Sequence, residues 1–207
     1  MRKKNLLILL IVTLLAQTTV GCYPFTQLKL DRDHYYTFKH HPIKVKAPDT
    51  PEMGILDGDN YVDFAMGAGA WMMSGRHSIQ VYPIPESVTD EQSFYAYIKP
   101  TLTAHAVKDP VGAGLKNMEV KRNELLRVHD RPAYEVWAVD EKGVKPGKSP
   151  PLFPAATIVT AIYFESRIVI ASYLTSSDLL VAEAAERQFR TKKYRAFVES
   201  IEEIKTR

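Results

Sequence analysis

The sequence predicts an α+β domain: an antiparallel β-sheet with helices packed on both of its faces. Three observations lead there. Apolar residues recur with period two in several short runs separated by turn residues, the pattern of hairpins. Two longer stretches carry apolar residues at helical spacing instead. Finally, Thr157 to Phe164 and Ile168 to Leu174 are apolar on both parities, so each of those strands needs cover on both sides.

The elements follow in order. His34 to Phe38 and Ile43 to Ala47 read as two strands around a turn at His40, His41 and Pro42, and Pro48 and Pro51 end that hairpin. Asp57-Gly58-Asp59-Asn60 is a turn. Tyr61 to Met66 and Ser78 to Ile84 read as strands joined by a connection rich in Gly, Ala and Met. Thr89 with Gln92 matches a capping box, in which each side chain satisfies a backbone donor at the helix entrance. Phe94, Tyr97, Ile98 and Leu102 continue at helical spacing, and Pro100 is expected to kink or break that helix.

Beyond the loop marked by Gly112 and Gly114 the period returns to two. Met118, Val120, Leu126 and Val128 share one parity, with a bend expected near Asn123. His129-Asp130-Arg131-Pro132 reads as a turn and Ala133 to Val139 as the return strand. Glu141 to Pro154 is a loop rich in Lys, Gly and Pro. The last segment, Asp178 to about Ile204, reads as a helix with Tyr194, Phe197, Val198, Ile201 and Ile204 as its apolar stripe.

This succession, over roughly Asp33 to Ile204, resembles the PsbP-like fold, the α/β/α sandwich of the photosystem II extrinsic protein P. Tyr35-Tyr36-Thr37-Phe38 and Ala133-Tyr134-Glu135-Val136 are among the stretches that carry it. The resemblance implies a binding or assembly module attached to a larger complex, since few such domains are enzymes. No family functional residue matches a position here.

The N-terminus makes a separate statement. Arg2, Lys3 and Lys4 precede an apolar run from Leu6 to Leu15, and Thr18 to Gly21 lead into Cys22, the single cysteine. That order resembles a bacterial lipoprotein signal, ending at an acylated cysteine. The run is shorter than the ~20 apolar residues of a spanning helix. A plain cleaved signal would leave a lone thiol near the new terminus of an exported protein. The expected division is residues 1–21 as signal, 22–32 as tether and 33–207 as one domain. With acyl chains such as palmitate on Cys22, each buried methylene adds ~0.8 kcal/mol of membrane binding. Tyr23, rather than Asp, follows the cysteine. By that resemblance the protein belongs to the cell envelope, on the periplasmic face of the outer membrane.

Charge bears on one class of partner. The chain has 27 Lys and Arg against 24 Asp and Glu. Without Arg2, Lys3 and Lys4 the two tallies are equal, so net charge gives no reason to expect nucleic acid. A lipidated Cys22 leaves no thiol for a disulfide, a nucleophile or a metal.

Motifs of catalysis are absent. Gly143-Val144-Lys145-Pro146-Gly147-Lys148-Ser149 has one residue too few between its glycines for a phosphate-binding loop, and Pro150 and Pro151 remove the backbone donors that would follow. Pro151-Leu152-Phe153-Pro154 has the look of an extended ligand for a partner's groove, or of a plain loop. His34, His40, His41 and His77 read as surface histidines beside turns rather than zinc ligands. Asp57, Asp59 and Asp63 read as turn residues rather than a calcium loop. Arg187, Arg190, Lys192, Lys193 and Arg195, flanked by glutamates, read as a solvated helix face with spaced ion pairs rather than a face turned to anionic lipid heads.

The candidate partner contact is Trp71, Met72 and Met73, set between glycines. Trp anchors interfaces and Met adapts to them. The competing reading packs these residues into the end of the sheet. The function expected is a lipid-anchored, non-enzymatic envelope module, without cofactor or metal, that binds a partner protein or assists assembly. The alternative is a carrier or sensor of small molecules or lipid, which requires a closed pocket between sheet and helix. A hydrolase ranks last.

Overall fold

A computed structural model describes residues 30–48, 53–66, 75–107, 118–140, 156–175 and 184–204. Cys22, the signal and most of the tether lie outside the described residues, as do Trp71 to Met73 and the whole of Gly143 to Pro154. Among the described residues no helix is long and apolar enough to cross a membrane.

Two antiparallel sheets and two helices make up the described fold. Strands β1 (Tyr35–Thr37) and β2 (Ile43–Lys46) form the expected hairpin. The larger sheet holds β3 (Met53–Asp57), β4 (Tyr61–Met66), β5 (Gly75–Pro83), β6 (Glu119–Val128), β7 (Arg131–Val139), β8 (Ala156–Phe164) and β9 (Arg167–Thr175). Its spatial order is β3-β4-β5-β9-β8-β7-β6. The chain leaves the sheet after β5, forms helix α1 (Glu91–Val107), then returns as a four-stranded meander whose last strand closes on β5. Helix α2 (Ala184–Glu199) follows, and β10 (Glu202–Glu203) pairs with β2.

Strands β8 and β9 lie at the centre, as their two-sided apolar pattern requires. Phe94, Ile98, Leu102 and Ala106 of α1 fall four residues apart and cover one face, against Val136 of β7, Val159 and Ala161 of β8, and Ile168 and Ile170 of β9. The opposite face, with Val62, Phe64, Ile79, Ile158, Ile162 and Val169, is covered by Tyr194, Phe197 and Val198 of α2 and by Tyr36, Ile43 and Val45 of the small sheet. Each large apolar side chain buried this way contributes about 1.5–3 kcal/mol.

Several local expectations are corrected. Strand β3 was not anticipated; it precedes the Asp57–Asn60 turn and completes a hairpin with β4. Gly58 lies against the Tyr61 ring there, so a Cβ would force that ring to shift. The cap of α1 is one residue later than the Thr89–Gln92 box. Asp90 Oδ1 accepts the Ser93 N–H at 2.8 Å, and Ser93 Oγ accepts the Asp90 N–H at 2.9 Å. Nor does Pro100 end the helix, which runs on to Val107. Pro100 is exposed, while Ile98 and Leu102 on either side are buried, so packing of the apolar stripe holds the helix together across the missing hydrogen bond.

The β6–β7 turn is tighter than expected. His129 and Asp130 both have positive φ, 49° and 62°, the conformation of a two-residue hairpin loop. Strand β7 therefore begins at Arg131, and Pro132 lies inside it, opposite Arg127 but before the first residue that pairs with β8. The bend in β6 is a register shift between Val120 and Arg122, slightly earlier than Asn123. Helix α2 stops at Glu199. Ser200 Oγ donates to the Phe197 carbonyl at 2.6 Å and accepts the Lys46 N–H at 3.1 Å, which turns the chain into β10. Ile201 stays in the core, but Ile204 is 36% exposed and drops out of the stripe.

Replacing Pro100 by Ala should stabilise the domain by roughly 1–3 kcal/mol, because it restores a helical hydrogen bond at an exposed position. Thermal unfolding checks this; an unchanged or lower Tm would mean that the helix has adapted to the proline.

Candidate functional site

Three features stand out: a buried polar tie beneath α2, an apolar cleft beside α1, and the two unlike edges of the large sheet.

The tie begins with Glu135 on β7, which is 7% exposed. Its carboxylate accepts from Thr160 Oγ1 of β8 at 2.8 Å and from Arg195 of α2 at 2.9 Å. Arg195 also reaches Glu124 of β6 at 3.2 Å, and Arg122 donates to Glu124 at 2.6 Å. Thr160 gives its proton to Glu135 and so accepts from the Tyr194 hydroxyl, 2.8 Å away. Strand alternation places Glu135, Thr160 and Glu124 on the same face, and residues three apart on α2 deliver Phe197 and Tyr194 to it. Burial pushes the Glu135 carboxyl up, against the lowering effect of Arg195. Burial also raises the Tyr194 phenol well above its ordinary value. Every strong acceptor here is matched by a donor, so the group ties helix to sheet and offers no free base or nucleophile. Arg195 thus makes ion pairs, as expected of that face, but one of its partners is the buried Glu135 of the sheet rather than a solvated neighbour on the helix.

The reading of His77 is corrected. It is 5% exposed, not a surface histidine. Its ring lies 4.5 Å from that of Tyr173 and 4.8 Å from that of Phe197, centroid to centroid, and Nδ1 has no partner among the described residues. Burial, followed by the nearby Lys193, lowers its pKa to about 3, so the ring is neutral at physiological pH.

The remaining sequence candidates disperse. His40 is exposed, 3.7 Å from Asp59, and His41 meets the Phe38 ring edge-on. Asp63 pairs with Arg76, and Asp57 accepts from Tyr36 at 3.2 Å. Among the described residues no group of His, Cys, Asp or Glu is placed to hold a metal ion.

The cleft has a volume of about 410 Å³. Ile98 of α1 and Ile168 and Ile170 of β9 form its apolar floor. Pro83, Ile84 and Pro85 form a stiff wall, and Tyr82, Tyr97, Thr101 and His105 stand around the mouth. It is an open cleft, whereas the carrier reading requires a closed pocket. Sequence reasoning missed it, since its two sides are separated by the whole β6–β8 excursion. The one local signal was the apolar Tyr82 to Pro85 stretch leading out of a strand.

The sheet edges differ. Strand β6 carries Glu119, Lys121, Arg122, Glu124 and Arg127 and a register shift, the features that block pairing with another strand. Strand β3, of sequence Met-Gly-Ile-Leu-Asp, has no strand on its outer side among the described residues.

The class defined by this geometry is an antiparallel α/β/α sandwich, its second face shared between a helix and a small sheet. In fold it is similar to cyanobacterial PsbP (CyanoP) from Synechocystis sp. PCC 6803, with a TM-score of 0.53 at 10% identity over 82% of this chain and 91% of that one. A Bacteroides thetaiotaomicron VPI-5482 protein matches with a TM-score of 0.44 at 10% identity, over 79% of this chain, which spans 45% of that chain's length. Pseudomonas aeruginosa PA94, described as a protein of unknown function and putative regulator, gives 0.39 at 13% identity over 76% of this chain and 94% of its own. No family model matches the sequence, and no curated protein does.

Two outcomes test the tie. Arg195→Ala should lower stability by roughly 2–3 kcal/mol, less than the ~3–5 for a fully buried pair because Arg195 is 30% exposed, whereas removing Glu135 and Arg195 together in favour of apolar residues should cost much less. A double-mutant cycle by urea unfolding measures this, and additive losses would contradict it. For His77, the unfolded ring takes up its proton near 6.5 and the folded one only near 3. The unfolded chain binds the extra proton between those values, so stability falls as pH falls through that window, by at most about 1.4 kcal/mol per pH unit from this group. His77→Phe should flatten the slope there; an unaltered slope would show that His77 is not responsible.

Proposed function

We propose that this protein is a lipid-anchored, non-enzymatic module of the cell envelope, held through Cys22, which binds a partner protein or assists assembly of an envelope complex. The observation that carries the reading is the contrast between the two sheet edges. A strand edge free of charge along most of its length is a template for an extended segment of another chain, which adds main-chain hydrogen bonds in the manner of strand addition. The opposite edge carries the protections that β3 lacks. The fold likeness to cyanobacterial PsbP and the order of residues 1–22 support the same reading, and Trp71 to Met73 remain the candidate contact in sequence, in the segment between β4 and β5.

Crosslinked affinity capture of the full-length protein from its own membranes is the test, with Cys22→Ser and Leu56→Lys as variants. We expect one abundant partner, lost from Leu56→Lys in preparations that still unfold cooperatively, and release of Cys22→Ser from the membrane fraction. Capture undiminished by Leu56→Lys would remove β3 as the docking edge. Recovery of the parent and Cys22→Ser alike in the soluble fraction would remove the lipid anchor.

A further inference from the structure

We propose that the cleft between α1 and the β5–β9 side of the sheet is a binding site for a small, flat, uncharged ligand with one hydrogen-bonding group, of the phenol or indole type. Its volume of about 410 Å³ lies at the lower end of the ~300–1,000 Å³ of ligand pockets. At a water's share of about 30 Å³ per non-hydrogen atom, that admits on the order of a dozen atoms, some of the space being open to solvent.

Charge defines the ligand further. Among the described residues no Lys, Arg, Asp or Glu side chain lines the cleft. A charged group drawn into it would lose hydration without gaining a counter-charge. The polar groups stand at the mouth. His105 is half-buried, and it makes no hydrogen bond among the described residues. Burial lowers its pKa below the ordinary histidine value, which keeps it neutral near pH 7, with one nitrogen able to donate and the other to accept. Thr101 spends its hydroxyl proton on the Tyr97 carbonyl at 2.8 Å, and Tyr82 spends its own on Gln80 at 2.6 Å, so toward a ligand both oxygens can only accept. A ligand with one N–H or O–H therefore finds acceptors there.

Shape selects a flat body. Prolines 83 and 85 fix one wall, because their rings hold the backbone angle. Tyr82 and Tyr97 bring aromatic rings to the lining from the strand and the helix, and burial, followed by the neighbouring Tyr97, raises the Tyr82 pKa. The site is separate from the β3 edge, two strands away, so the inference does not rest on the docking reading.

The test is an amide-resolved NMR titration of the full-length protein with indole, and with benzoate as a charged probe of similar size. We expect saturable shifts confined to residues 82–85, 97–105 and 168–170, and affinity for benzoate weaker by roughly tenfold or more. Thr101→Trp, a change at an exposed helix position, should plug the mouth and weaken indole by a similar factor of roughly ten. His105→Phe, which keeps the ring but loses its acceptor, should weaken indole while leaving toluene unchanged. Absence of saturable shifts up to the solubility of indole, equal binding of benzoate, or undiminished binding by folded Thr101→Trp would each overturn the proposal.

Discussion

Strands β8 and β9 have no face that tolerates water, and most of the architecture answers to that requirement. Ala156 to Phe164 is buried at all but one of its nine positions. A sheet with such strands at its centre needs two covers, and they come from distant parts of the chain. Helix α1, inserted between β5 and β6, covers one side, while α2 and the small β1-β2-β10 sheet divide the other. The small sheet exists because α2 alone does not reach across a seven-stranded sheet; Tyr36, Phe38, Ile43 and Val45 supply the remaining cover.

Hydrophobic cover is non-directional, so it fixes that α2 lies on the sheet without fixing its position. The Glu135–Arg195–Thr160–Tyr194 tie supplies the missing direction. A buried carboxylate has one arrangement in which all its acceptors are met, and a helix shifted along its axis would leave Glu135 uncompensated. Ser200 and β10 add a second point of attachment at the helix end. Polar groups thus set the alignment, and apolar groups supply the bulk of the adhesion.

What the sequence discloses follows the same division. Period-two and helical patterns report which positions are dry, so the central strands, the two helix stripes and the antiparallel fold class were legible. Features decided by contacts between distant residues were not. Nothing near Glu135 or Thr160 in sequence announces that Arg195 and Tyr194 arrive from α2 to pair with them. His77 looks like a turn histidine, since nothing near it in sequence announces Tyr173 and Phe197. The end of α2 is set by a hydrogen bond from Lys46 to Ser200, across 154 residues. The cap at Asp90 and Ser93 was missed for a different reason: Thr89 and Gln92 satisfy the same rule one residue earlier, and local sequence does not choose between them. The apolar cleft was invisible because a cavity is a property of what is absent between two elements.

The closing of β9 on β5 bears on how the chain reaches this state. Strands β6 to β9 are joined in sequence order and can pair by short-range steps, but Ile79 meets Ala171 and Phe64 meets Phe197 of the last helix only after long loops have closed. Loop closure costs entropy before any contact rewards it, and topologies dominated by distant pairing fold in milliseconds to seconds. The meander is the part able to form early. Until β5 arrives, β9 presents an unpaired apolar edge, and the speed of that single docking event governs how long the nascent domain is open to aggregation.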